Sequence, residues 1–279
     1  MGKRRTRRGL SSCYTRPMAA PRKSSVQHAW IVVPTYNESG NLERMIRTLR
    51  DPGLTHAAVS TVTDPSARTA RSTEIHVLVV DDASPDGTGA IADRLAAEDS
   101  AHVNVLHRAG KLGLGSAYVL GFQFALDHGA DIVVQMDADF SHSPTYLVDM
   151  FDRFSDYDVV VGSRWAPGGS LDPRWERWRY LLSKYANRYT RWVTGVQVRD
   201  VTAGFKAFRA DALRRLPLDR IRSEGYAFQV EMAVACHRLG LQIFELPIHF
   251  AEREIGSSKM SLRIIAEAMW RVWEIRFRP

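Results

Sequence analysis

Two aspartates one residue apart, Asp137 and Asp139 in the run MDADFSHSP (136–144), are the side chains in this sequence best suited to chemistry. In extended backbone, alternate side chains project to the same side, so the spacing predicts two hard carboxylates facing one point. Such a pair attracts a divalent cation, Mg2+ or Mn2+; without one, mutual repulsion makes it costly. The run follows DIVVQ and precedes Ser-Pro, which puts the pair at the end of a buried strand. His142, beside the pair, is read as structural or substrate-adjacent rather than as a base.

Two other strand ends carry polar groups. In PTYNESGN (34–41), Pro34 is expected to stop the strand ladder. Tyr36 offers a flat ring to a base or sugar, and Glu38 a carboxylate that can accept from a base or ribose. The same text is also good helix-capping text. In DDASPDGT (81–88), adjacent carboxylates point to opposite sides. Asp82 is the one placed to meet a nucleoside, and Asp86 caps the next helix. The stretch GKLGLGSAYVLG (110–121) is neither a Walker loop nor G-x-G-x-x-G, because Tyr118 stands where the last glycine belongs. A nicotinamide dehydrogenase is therefore disfavoured, and the glycines are read as a tight turn before a helix.

The elements that must position these groups are visible as apolar runs alternating with helical patterns. WIVV (30–33), IHVLVV (75–80), VNVL (103–106), DIVVQM (131–136) and DVVVG (158–162) read as buried strands. Between them, 42–50, 91–98, 116–129 and 145–151 read as helices, so the pattern is α/β with a doubly wound sheet. In such sheets ligands bind beyond the carboxyl ends of the strands. Further on, a helix is expected near 178–194, a turn or short strand at 203–209, a helix near 226–239 and a strand near 241–250. Residues 260–279 read as an amphipathic helix with a polar stripe at Arg263, Glu267, Arg271, Glu274 and Arg278. That leaves Leu262, Ile265, Met269, Trp273 and Phe277 to pack on the body or lie in a lipid interface. Glu231 reads equally as a core-edge residue or a ligand contact. Residues 51–73 exceed the usual connection length and are read as a surface insertion.

The 279 residues are 45% hydrophobic and 25% charged, ordinary for a globular chain, with a formal charge of +7. Their distribution matters more than their sum. Residues 1–27 hold eight basic and no acidic residues and lack hydrophobic periodicity, so they read as a disordered tail, with Met18 as an alternative start. Residues 28–163 hold 19 acidic against 9 basic residues, and 164–222 hold 14 basic against 5 acidic. That polarity suits one anion held through a metal and a second held directly; nucleic acid has only the tail in its favour. Cys13 and Cys236 form no disulfide framework, and no apolar run is long enough to span a membrane.

The segments PTYNE, VVDDASPDGT, GKLGLGSAY, MDADFSHSP, GSRW, TAGFKAFR, SEGYAFQVEM and EREIGSSKMS resemble, in order, those of the polyprenyl-phosphate (dolichol-phosphate) mannosyltransferase family. These are inverting family 2 glycosyltransferases of the GT-A fold, and the likeness is strongest to the actinobacterial polyprenol-phosphate mannose synthases. It runs from about Trp30 to Trp273, leaving out the tail and the insertion. It implies a mostly parallel sheet flanked by helices in a single domain. The implied reaction moves mannose from GDP-mannose to a polyprenyl monophosphate, with Mg2+ or Mn2+. Carried over residue by residue, the donor site is Pro34, Tyr36, Glu38, Val80, Asp82, Asp137, Ala138, Asp139, Arg253 and Lys259. The metal ligands are Asp137 and Asp139 with Ser141, where some relatives have Gln. Arg164, Arg179 and Ser183 take the acceptor phosphate, and Arg164 joins the two aspartates as catalytic. A phosphate oxygen is already largely ionised at neutral pH, so no dedicated base is expected. The resemblance places the enzyme peripherally at the cytoplasmic face of the membrane, alone or through a membrane-protein partner. A glucosyltransferase using UDP-glucose and a non-catalytic nucleotide-binding module are the alternatives. A processive polymer synthase is disfavoured, since Q-x-x-R-W is absent.

Overall fold

A computed structural model describes residues 26–57, 72–252 and 262–278. Most of the expected tail and insertion, and the expected donor residues Arg253 and Lys259, lie outside the described residues. The amino-terminal half contains β1 (Val26–Thr35), α1 (Leu42–Leu49), α2 (Pro52–Ala57), β2 (Ser72–Asp81), α3 (Thr88–Glu98), β3 (Val103–His107) and α4 (Leu114–Asp127). Then come β4 (Ile132–Gln135), α5 (Tyr146–Asp152), β5 (Val159–Ser163), β6 (Ser170–Leu171), α6 (Arg177–Thr194) and β7 (Lys206–Arg209). The chain continues through α7 (Ala210–Leu213), α8 (Gly225–Arg238), β8 (Ile243–Pro247), β9 (His249–Phe250) and α9 (Leu262–Phe277).

Seven strands form one sheet in the order β3-β2-β1-β4-β7-β5-β8. Among the described residues only β7 runs antiparallel to its neighbours in it; β6 and β9 form a separate two-stranded ribbon. Helices cover both faces because successive side chains of each strand alternate between two cores. From β1, Trp30 and Val32 meet Tyr118 and Phe122 of α4 and Phe228 of α8. Ala29, Ile31 and Val33 meet Leu42 of α1, Ala92 of α3 and Leu147 of α5.

Two strands begin earlier than their side chains announce. Val26 and Gln27, assigned to the tail, pair with Ser72 and Thr73, assigned to the insertion. Each extension exists because the other supplies its backbone partner, which a one-segment reading cannot see. α2 also takes up 52–57 of the expected insertion. The ladder likewise runs one pair past Pro34, to Thr35 opposite Asp81.

The last helix differs most from expectation. α9 buries Val272 and Ile275, while Met269, Trp270, Trp273 and Phe277 remain exposed, Trp270 at 72% and Phe277 at 74%. Its rotation is fixed by polar ties. Arg278 donates to Glu231 of α8 at 2.5 Å and also pairs with Glu274. Arg238 of α8 donates to the carbonyls of Ile275 and Arg276. Glu231 is thereby structural, since it also accepts from the amides of Arg222 and Ser223.

Candidate active site

The strands β2, β1 and β4 are parallel neighbours, so their carboxyl ends emerge side by side. Beyond each, the chain turns through a non-glycine residue in left-handed backbone: Asn37 (φ 62°), Ala83 (φ 53°) and Phe140 (φ 58°). Among the described residues no other non-glycine residue does so. Such conformations are held only where the surroundings over-determine them, and they concentrate at functional sites.

At the third of these ends, β4 stops at Gln135, so Asp137 lies just past the strand and Asp139 in a bend, rather than both in one extended run. The left-handed Phe140, its ring under the Arg44 guanidinium at 3.9 Å, returns the chain so that the Ser141 amide donates to Asp139 Oδ1 at 3.0 Å. The Tyr118 hydroxyl donates to Asp137 Oδ1 at 2.9 Å. Burial, followed by the charges of Asp137 and Asp139, pushes the Tyr118 phenol well above its ordinary range, so it stays a donor. Gly204 backs the other oxygen: a Cβ there would lie 3.2 Å from Asp137 Oδ2. Asp137 is half-buried, Asp139 buried, and the buried Ser141 hydroxyl has no hydrogen-bond partner among the described residues. Two carboxylates beside an orphaned hydroxyl make an all-oxygen donor set, which fits Mg2+ or Mn2+.

The first two loops are stitched together. The amides of Asn37, Glu38 and Ser39 donate to Ser84 Oγ, Thr88 Oγ1 and Asp86 Oδ2. Against the burial that would raise it, hydrogen bonds from Thr88 and Ser39 draw the Asp86 carboxyl down to about 2. Tyr36 is half-buried with the Lys111 ammonium 4.0 Å from its ring centroid, and Glu38 accepts from the Asn41 side chain at 2.9 Å. Pro34 is half-buried, whereas the Val80 and Ala138 side chains lie in the core. Asp82 is spent on the protein: Arg108 reaches one oxygen at 2.8 Å, and the amides of Leu112 and Gly113 reach the other. It thereby shapes the glycine-rich turn. Gly113 adopts φ 106°, backbone that strains any side chain, and a Cβ there would also press on the Glu224 carboxylate. Glu224 in turn accepts from the amides of Gly115 and Ser116, capping α4 from a distant segment.

Arg164, Arg179 and Ser183 line one cavity of about 140 Å³ between α6, α8 and α9. Its other walls are largely apolar, including Leu182, Ala186, Val230 and Val272. Arg164 forks onto Asp200 at 2.7 and 2.8 Å and is 10% exposed, so it is a buried ion pair at the cavity wall rather than an open phosphate clamp. Burial alone would lower its pKa; Asp200 outweighs that and raises it. Arg179 lies over the Trp175 ring at 4.8 Å and reaches Glu252 at 3.0 Å. The Trp175 indole N–H is buried without a hydrogen-bond partner among the described residues. Thr202, two residues before Gly204 in the same loop, also lines the cavity. Sequence reasoning missed Tyr118, Glu224 and Asp200 as organisers of the site. Of the three, only Tyr118 had shown itself, as the residue spoiling a glycine motif.

The glycosyl transferase family 2 model matches residues 30–216. A polyprenol monophosphomannose synthase of Mycolicibacterium smegmatis is 42% identical over 255 residues, covering 90% of this chain and 89% of that protein. An undecaprenyl-phosphate mannosyltransferase of Micrococcus luteus is 46% identical over 238 residues, covering 85% and 89%. Among solved structures, glucosyl-3-phosphoglycerate synthase of Mycobacterium tuberculosis, with Mn2+ and UDP, shares the fold at TM-score 0.58 and 17% identity, covering 89% of this chain and 78% of that one. A mannosyltransferase of Pyrobaculum calidifontis, with GDP-mannose and Mn2+, does so at 0.50 and 20%, covering 85% and 60%. The sheet and its flanking helices are thus those of a GT-A glycosyltransferase.

Proposed function

The chain belongs to glycosyl transferase family 2, and on that premise we propose that it transfers mannose from GDP-mannose to a polyprenyl monophosphate with inversion. One observation carries the reading. Thr202 lines the apolar cavity and Gly204 packs on Asp137. Two residues of chain span at most roughly 7 Å, so a loop that short joins the acidic pair to a cavity suited to an isoprenoid.

In this reading Asp137 and Asp139, with Ser141, would hold a divalent ion, which would supply Lewis-acid stabilisation to a departing diphosphate. Tyr118 fixes Asp137, and the bend at Phe140 fixes Asp139. The Tyr36 ring and the first two loops receive the nucleoside. Arg179, the Trp175 N–H and Ser183 receive the acceptor phosphate, the Arg by charge-assisted hydrogen bonds. Arg164 holds the wall behind them through Asp200. The acceptor oxygen attacks without a protein base because its second pKa, near 6, leaves it largely ionised. Catalysis is then positioning and electrostatics.

The lipid acceptor requires a route, and no described helix is long and apolar enough to cross a membrane. A surface beside the cavity supports peripheral docking. Trp178, Trp192, Met269, Trp270, Trp273 and Phe277 are exposed on α6 and α9. Next to them Lys184, Arg188, Arg191 and Arg199 line an open groove. Aromatic side chains at headgroup depth and cations against anionic lipid are the two terms of interfacial binding.

Incubation with polyprenyl phosphate, Mg2+ or Mn2+, and labelled GDP-mannose or UDP-glucose tests the function. A labelled lipid from GDP-mannose is expected. A lipid product from UDP-glucose alone would overturn the sugar assignment.

A further inference from the structure

At the opposite, amino-terminal end of the same sheet, four polar side chains gather away from the acidic pair. β1 and β2 pair with His28 opposite Glu74 and Trp30 opposite His76. His28, Glu74 and His76 therefore fall on one face of two adjacent strands. His102, just before β3, closes the group from the third strand. The His28 Nδ1 to His76 Nε2 distance is 3.3 Å, His28 Nδ1 to Glu74 Oε2 is 3.4 Å, and His76 Nε2 to Glu74 Oε1 is 3.9 Å.

Those separations are informative. Tetrahedral zinc, with bonds of roughly 2.0–2.1 Å, needs ligand atoms about 3.3–3.4 Å apart. His28 Nδ1 already stands at that separation from His76 Nε2 and from Glu74 Oε2, while His76 meets the other carboxylate oxygen; one ligand atom from each residue lies within 4.8 Å of the others, so a turn of the carboxylate closes the triangle. We infer that His28, Glu74 and His76 form a divalent transition-metal site of the zinc class, with a fourth position open to water. Two imidazoles and one carboxylate favour zinc over the harder Mg2+ and Ca2+, which separates this site chemically from the Asp137/Asp139 pair.

The surroundings are those a metal site uses. His102 Nε2 lies 3.0 Å from Glu74 Oε1, and its Nδ1 lies 2.7 Å from Asp99 Oδ1, while Asp99 is held by Arg50 at 2.8 Å. This relay orients the ligand carboxylate as outer-shell partners do. The His76 ring stacks on Trp30 at 4.8 Å and 11°, which fixes its plane. His28 and Glu74 are partly exposed, their side chains at 42% and 38%, so an ion has a path in. Bound there, zinc would tie the start of β1 to β2.

The test is equilibrium titration of the chelator-stripped full chain with Zn2+ in excess Mg2+, read by competition with a chromogenic chelator. One equivalent is expected to bind. His28→Ala with Glu74→Gln should abolish it, His102→Gln should weaken it roughly 10–100-fold, and Asp137→Asn with Asp139→Asn should leave it intact. Substituting Co2+ in the unmutated chain should give the visible absorption of a four-coordinate N/O site, a readout independent of whether the variants fold. No binding, binding unchanged by the His28/Glu74 substitutions, or an octahedral cobalt spectrum would overturn the assignment.

Discussion

Tyr118→Phe probes the geometry of the acidic pair most cleanly. The substitution removes one oxygen and keeps the ring, which stacks on Phe228 at 5.7 Å and 6° and on Phe122 at 5.8 Å. What disappears is the 2.9 Å hydrogen bond to Asp137 Oδ1. A hydrogen bond to a charged group is worth about 1.5–3 kcal/mol, and each 1.36 kcal/mol is tenfold. If that bond orients Asp137 for the metal, half-saturation by Mn2+ should rise roughly 10–100-fold, the range for losing an outer-shell partner. Turnover should be largely recovered at saturating Mn2+, because no group touching the substrate has changed. The assay is labelled transfer across a metal titration, with Mn2+ binding followed separately by electron paramagnetic resonance. An unchanged metal dependence, or a loss that no metal concentration restores, would refute the role given to Tyr118.

Other predictions concern packing, charge and surface. Burial lowers the Lys206 pKa to about 7 from 10.5, outweighing the opposing pull of Cys236 and Asp200. Between those values the unfolded chain holds a proton the folded chain lacks, so Lys206 makes stability rise by about 1.4 kcal/mol per pH unit, its penalty being complete below 7. Lys206→Met should therefore gain most over the parent at pH 6–7, with the gap narrowing toward pH 10 in denaturant titrations; a constant gap contradicts this. Asp200→Asn leaves Arg164 buried and unpaired, which should cost about 3–5 kcal/mol in chemical denaturation. A cost under 1 kcal/mol would show that the pair is solvated. Trp192→Ser with Trp270→Ser should weaken sedimentation with anionic vesicles while leaving transfer to a detergent-dispersed short-chain acceptor unchanged. Equal loss in both assays would refute the docking role.

Much of the scaffold was legible because strands and helices announce themselves locally. The β-branched runs are β1 to β5, and the spacing of Asp137 and Asp139 alone singles them out as the candidate pair. What escaped depended on partners distant in sequence. Glu224 caps α4 from 108 and 109 residues away, and Asp200 neutralises Arg164 across 36. No periodicity encodes either. The strand pattern runs into the acidic pair and reads as a pleat, whereas β4 ends at Gln135 and the chain bends through Asp139 to left-handed Phe140. The apolar pattern of α9 surrounds more than half of the helix and leaves open whether Met269, Trp273 and Phe277 meet the body or a lipid interface; the ties to Glu231 and Arg238 decide the rotation that buries Val272 and Ile275 instead.

The proposed role of the acidic pair and the neighbouring cavity is to join mannose to a lipid phosphate. Purified protein, undecaprenyl phosphate and GDP-mannose labelled at C1, with Mn2+, should yield an organic-soluble mannosyl phosphate whose C1–H1 coupling constant reports the anomer opposite to the donor's. Asp137→Ala with Asp139→Ala should yield none. Retained configuration would contradict the single displacement proposed here, and undiminished product from the double variant would contradict the site itself.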